Sequence, residues 1–164
     1  VSFKQMLRFW EEDLNQCCQP AMFFPLPLFK ELGGCDESLH YTMDHDLWIR
    51  MLQRIDAICI EPVLAKARYH TAAKTSMHDY KVLRHKRLVA ERYWDQYPGG
   101  WNMAEFRRAY INACGERFSQ YRRRHGREAG IYILKDGFEV SPLRMALEIC
   151  QRGLGMLKRK FSGS

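Results

Sequence analysis

The strongest constraint on this chain is a change of pattern near residue 76. Up to that point, short apolar segments of helical and of strand type alternate between turns. Beyond it, three long stretches read as basic helices. Charge follows the same division: residues 1 to 76 carry 8 Lys and Arg against 10 Asp and Glu, residues 77 to 125 carry 11 against 5, and residues 126 to 164 carry 7 against 4. The two regions, 1–76 and 77–164, are therefore expected to do different work.

With 164 residues, 46% hydrophobic and 27% charged, the chain has the length of one modest domain or of part of a larger one. The composition is globular, which excludes wholesale disorder and collagen-like or low-complexity structure. No apolar run approaches the roughly 20 residues that span a bilayer. The longest uncharged stretch, residues 14 to 29, is broken by Asn15, Gln16, Gln19 and three prolines. The chain starts at Val1 with no charged-then-apolar leader, and the expectation is a piece of a longer protein. Its six cysteines include no C-x-x-C and no zinc-finger spacing, so free thiols in a reducing compartment are expected.

Phe3, Met6, Leu7 and Trp10 recur at helical spacing and predict a short first helix. Gln19-Pro-Ala-Met-Phe-Phe24 reads as a short strand. Residues 27 to 32 read as a turn and a half of helix, opened by Pro27 and stopped by Gly33-Gly34. Leu47, Trp48, Met51 and Leu52 follow Asp44 at amphipathic spacing, and residues 57 to 60 and 63 to 69 read as two strands separated by Pro62. Residues 77 to 96, 102 to 124 and 142 to 161 predict helices, with an extended segment at 130 to 137. The expected class is thus α/β, an α+β fragment followed by a helical basic tail.

Asp44-His45-Asp46 has the spacing at which two carboxylates share a divalent ion and a diphosphate. Such a pair normally ends a buried strand, and Leu39-His-Tyr-Thr-Met43 is no such run. The alternative is structural: Asp44 as a helix N-cap and Asp46 as a first-turn carboxylate favoured by the helix dipole.

Four motifs in order bear on that choice: Gln19-Pro-Ala-Met-Phe-Phe24; Leu28-Phe-Lys-Glu-Leu-Gly-Gly-Cys-Asp-Glu-Ser-Leu39; Tyr41-Thr-Met-Asp-His-Asp-Leu-Trp-Ile-Arg50; and Leu64-Ala-Lys-Ala-Arg-Tyr-His70 with Lys74 and Ser76. Together they resemble the second half of a family 2 glycosyltransferase, an inverting, nucleotide-sugar-dependent enzyme of the two-layer α/β GT-A type, over residues 15 to 76. The resemblance implies that Asp44 is the general base, and that Asp46, Trp48 and Arg50 complete its motif. It places Asp36 and Glu37 near the acceptor, although Asp36 could equally cap the next turn, and Cys35 stands where the family usually has an aromatic residue. It implies that Arg68 steadies the departing diphosphate and that His70 ligates a metal, although a histidine at such a strand end is often only a surface residue. Lys74 and Ser76 would lie in a loop over the nucleotide. The implied cofactor is a divalent metal, Mg or Mn, with its main ligands in a donor-binding half preceding Val1, so this chain alone is expected to be inactive.

The basic helices admit three readings: nucleic acid, an anionic membrane surface, or a merely solvated face. No nucleic-acid module accompanies Arg122-Arg-Arg124, and nucleic acid is the least favoured. The expected function is the acceptor-side part of an inverting glycosyltransferase, moving a sugar from a nucleotide-sugar donor to a hydroxyl of a glycan or lipid-linked acceptor. The expected location is cytoplasmic, with a peripheral contact at the inner face of the membrane. The alternative is a non-catalytic partner- or membrane-binding module derived from such an enzyme.

Overall fold

A computed structural model describes residues 1–8, 17, 19–66, 68, 79–96 and 102–161. The chain divides into two compact units, Val1–Gly100 and Trp101–Ser164.

In the first unit, α1 (Phe3–Leu7) opens on a capping box: the Ser2 hydroxyl accepts from the Gln5 amide, and the Gln5 side chain accepts from the Ser2 amide. Its buried Met6 and Leu7 pack on α3 (Met43–Leu52). In the chain between them comes α2 (Leu26–Glu31), with Pro27 in its first turn, where a missing amide proton costs nothing. α3 buries His45, Asp46, Leu47, Trp48, Ile49 and Met51, so it is the central helix of this unit. α4 (Asp79–Arg92) packs against it, contributing Leu83, Val89 and Ala90 to the core, and a 3-10 turn at Trp94–Gln96 follows.

The second unit is an up-down-up bundle of α5 (Met103–His125), α6 (Arg127–Val140) and α7 (Pro142–Phe161). Asn102 caps α5 by accepting from the Ala104 and Glu105 amides. Phe106, Tyr110, Ile111, Cys114, Ile133 and Met145 fill its core, and the buried Tyr110 hydroxyl donates to the buried Asp136 carboxylate.

The structure overturns the expected α/β class: among the described residues there are helices and turns and no strand. The strand expected at 19–24 is a 3-10 turn, Gln19–Ala21, followed by irregular chain. Residues 56–60 and 63–66 lie outside regular structure, with Ile58 88% and Val63 82% exposed. Their β-branched composition suits a strand, but a strand exists only where a neighbour takes its backbone hydrogen bonds, and no described segment does so.

The extended segment expected at 130–137 is the middle of α6. Gly130 and Gly137 there are contact points rather than breakers. A Cβ on Gly137 would come within 2.6 Å of the Met145 sulfur, and one on Gly130 within 3.0 Å of the Phe118 ring.

The five described cysteines, Cys17, Cys35, Cys59, Cys114 and Cys150, form no disulfide. Among the described residues, no helix is long and apolar enough to cross a membrane.

Candidate functional site

The site is built on the turn from α2 into α3. The end of α2 needs two successive residues with positive φ: Gly33 at 79° and Gly34 at 74°. The Gly34 amide reaches back to the Phe29 carbonyl at 2.9 Å, and the Gly33 amide to Lys30 at 3.1 Å, the paired closure that glycine permits. This turn aims the carbonyls of Leu32 and Gly34 at Arg50, whose Nη1 and Nη2 donate to them at 2.7 and 2.8 Å. Its Nε donates to Asp46 Oδ2 at 2.8 Å. One guanidinium thus ties the end of α2 to the first turn of α3.

Asp46 is buried, and both of its oxygens are engaged. Besides Arg50 on Oδ2, the Tyr93 hydroxyl donates to Oδ1 at 2.6 Å, and Arg92 Nη1 stands 3.9 Å from the same oxygen. Burial first, and then the hydrogen bond to Asp46, push the Tyr93 phenol well above its ordinary value. Both oxygens of Asp46 are thus taken by protein donors. Asp46 is a structural carboxylate turned into the protein.

Asp44 is different. Thr42 holds the N-cap position of α3, so Asp44 sits inside the first turn rather than capping it. It is half-buried, and its Oδ1 accepts from the amide of His45 at 2.8 Å. Its second oxygen takes no hydrogen bond from the described residues. His45 beside it is buried. Desolvation pushes its imidazole well below the usual range, the Lys86 charge adds to this, and a hydrogen bond involving the Met6 backbone opposes it. Cys17 lies in the same neighbourhood: burial raises its thiol, and Lys86 and Asp44 act on it in opposite senses.

Asp36 closes the arrangement. Its Oδ1 accepts from the Ser38 amide at 3.0 Å and from the Ser38 hydroxyl at 2.5 Å, which is the turn-capping alternative read from sequence. Its Oδ2 accepts from Arg92 at 2.7 Å. The Ser38 hydroxyl foremost, and then Arg92, hold this carboxyl at about 2. Arg92 thereby spans Asp36 and Asp46.

Trp48 is buried with its edge on Phe24, ring centroids 5.5 Å apart, and Phe24 stacks on Phe29 at 5.6 Å. It packs the α2–α3 junction. Glu37 is exposed, with no hydrogen bond or ion pair among the described residues, and Arg68 is likewise exposed. His70, Lys74 and Ser76 lie outside the described residues. Among those described, no three His, Cys, Asp or Glu side chains form a group fit to hold a metal ion.

Sequence reading missed Arg92 and Tyr93. They stand more than 40 residues from the motif they complete, at the end of a helix whose basic pattern signals only a solvated face.

Comparison with known proteins bears on what this arrangement serves. The chain is 42% identical over 68 residues to an uncharacterized glycosyltransferase of Rickettsia typhi, a match covering 38% of this chain and 21% of the relative. It is 41% identical over 57 residues to an uncharacterized glycosyltransferase of Rickettsia prowazekii, covering 34% and 18%. Both of these partial matches are to proteins named as glycosyltransferases. It spans about a fifth of the length of these curated relatives. No family model matches the chain, and no solved structure does.

Proposed function

We propose that this chain is the acceptor-side part of an inverting glycosyltransferase of the family 2 type, and that Asp44 is its general base. The observation that carries this reading is the contrast between two carboxylates two residues apart. Asp46 spends both oxygens on Arg50 and Tyr93, whereas the second oxygen of Asp44 takes no hydrogen bond from the described residues. An acceptor hydroxyl is a weak nucleophile until a positioned base takes its proton. In this reading the proton passes to Asp44 as the hydroxyl oxygen bonds to the anomeric carbon and the nucleoside diphosphate leaves from the opposite face, inverting that carbon.

Asp36, with Arg92, borders the acceptor side, and Trp48 and Arg50 position the helix that carries the base. The donor is a nucleotide sugar, and the acceptor a glycan or a lipid-linked saccharide. A divalent cation would neutralise the departing diphosphate. Among the described residues no three His, Cys, Asp or Glu side chains are grouped to hold it.

The test is Asp44→Asn in the full-length protein, assayed as nucleoside diphosphate released from a panel of nucleotide sugars with and without acceptor. Loss of the base should lower turnover at least about a hundredfold, with donor binding nearly unchanged. Turnover within a few-fold of wild type would remove Asp44 from the mechanism.

A further inference from the structure

The outer face of α7 is apolar and uncovered. Met145 is fully buried against Gly137, whereas Leu143 is 73% and Leu147 52% exposed, and Cys150 is exposed as well. These three stand at i, i+4 and i+7, one stripe along the helix. In sequence the same spacing continues through Leu154, Leu157 and Phe161. Sequence alone leaves open whether this stripe packs on its own domain. The structure gives that role to Met145 and leaves Leu143 and Leu147 outside.

Charge says what kind of surface suits such a face. Residues 101–164 carry 13 Lys and Arg against 6 Asp and Glu, and residues 1–100 carry 13 against 13. The whole net charge of +7 therefore belongs to the helical bundle. Arg144 is exposed beside the stripe. α5 and α7 run in the same direction, with Gly115 opposite Glu148 and Arg152, so both helices end on the same side of the bundle. The final turns of α5 hold the exposed Arg122, Arg123 and Arg124, and the sequence of the last turn of α7 contains Lys158, Arg159 and Lys160. An apolar stripe running toward a cationic end matches a surface that is apolar beneath a layer of negative charge.

We propose that the outer face of α7 docks on an anionic lipid bilayer, with Leu143, Leu147 and Cys150 entering the acyl boundary and the exposed Arg144 and the basic end of α5, Arg122 to Arg124, meeting lipid phosphates. A nucleic acid would use the cations and leave the aliphatic stripe in water. The proposal is independent of the assignment of Asp44.

The experiment is sedimentation of the full chain with phosphatidylcholine vesicles, with and without phosphatidylglycerol, at low and high salt. Binding to the anionic vesicles at low salt is expected to be at least tenfold stronger than to neutral ones, and to fall sharply at high salt, where charges are screened within a few ångströms. Leu143→Glu with Leu147→Glu should abolish binding without changing helix content by circular dichroism, because both side chains lie outside the core. Negligible binding to both vesicle types at low salt would overturn the proposal, as would wild-type binding by the double variant. It would equally be overturned if the chain were a dimer that the double variant splits, since the stripe would then be covered by a second copy.

Discussion

Arg50 makes one contact backwards along its own helix, to Asp46, and two outwards, to the carbonyls of Leu32 and Gly34. The carboxylate is 2% and the guanidinium 17% exposed, so the pair is largely out of water, and its value lies in being complete. A buried pair adds little over an apolar substitute, but one partner left alone is costly. Arg50→Ala should therefore destabilise the first unit by about 3–5 kcal/mol. Arg50→Lys keeps the charge but not the planar fork that reaches three acceptors, and should cost about 2 kcal/mol. Urea unfolding of the two variants checks the order. Equal stability of the Arg50→Lys variant and the wild type would show that charge alone matters here.

Tyr93 supplies the other half of the Asp46 cage. Tyr93→Phe keeps the ring but removes the donor to Oδ1, for an expected loss of about 1–3 kcal/mol. Because the folded phenol is raised, the unfolded chain releases this proton first as pH rises. The contribution of Tyr93 is present below about pH 10 and declines above it. Spectrophotometric titration should show a late-ionising step, and that step should shrink by one tyrosine in Tyr93→Phe.

How much of this was legible depended on distance along the chain. The α2 stop at Gly33-Gly34, the body of α3 and the helices α4, α5 and α7 follow from signals a few residues apart: a proline in a first turn, paired glycines, apolar residues at helical spacing. The Asp46–Tyr93 bond closes over 47 residues and has no local signature. Segments 57–60 and 63–66 misled for a related reason. Their composition reports a fitness for pairing, which only another strand can realise. At 130–137, the glycines that looked like boundaries serve close helix contact, and the buried set Ala129, Gly130, Ile133, Asp136 and Gly137 has helical spacing once those glycines are counted as part of the face.

Asp36 offers a rank-order test. The hydrogen bond from the Ser38 hydroxyl is the largest single cause holding its carboxyl at about 2, ahead of the hydrogen bond from Arg92, so Ser38→Ala should raise the titration midpoint at least as far as Arg92→Met. Both should move it toward the ordinary value near 3.9. The sign for stability follows from a depressed folded value: the contribution is complete above about pH 4 and is lost as pH falls through about 2. Carboxyl-carbon NMR of Asp36 reads the midpoints directly. A larger shift in Arg92→Met would make the ion pair, not the turn, the dominant contact.

His45 should make the first unit sensitive to mild acid. Its imidazole is buried in the first turn of α3, where desolvation disfavours the charged form and the nearby Lys86 ammonium adds repulsion. In the unfolded chain the same side chain takes up a proton near pH 6.5, and the folded chain resists it until well below that value. Between those two points the unfolded state binds more protons, so stability falls as pH drops below about 6.5, at up to about 1.4 kcal/mol per pH unit. His45→Gln should alter the stability at neutral pH by its own packing cost, but it should also flatten the curve between about pH 6.5 and 5. The slope is the informative quantity, because the other five histidines titrate in both proteins. Urea unfolding at a series of pH values separates the outcomes. Parallel curves for the wild type and His45→Gln would show that the imidazole meets its proton equally well in both states, and would remove His45 as the source of acid sensitivity.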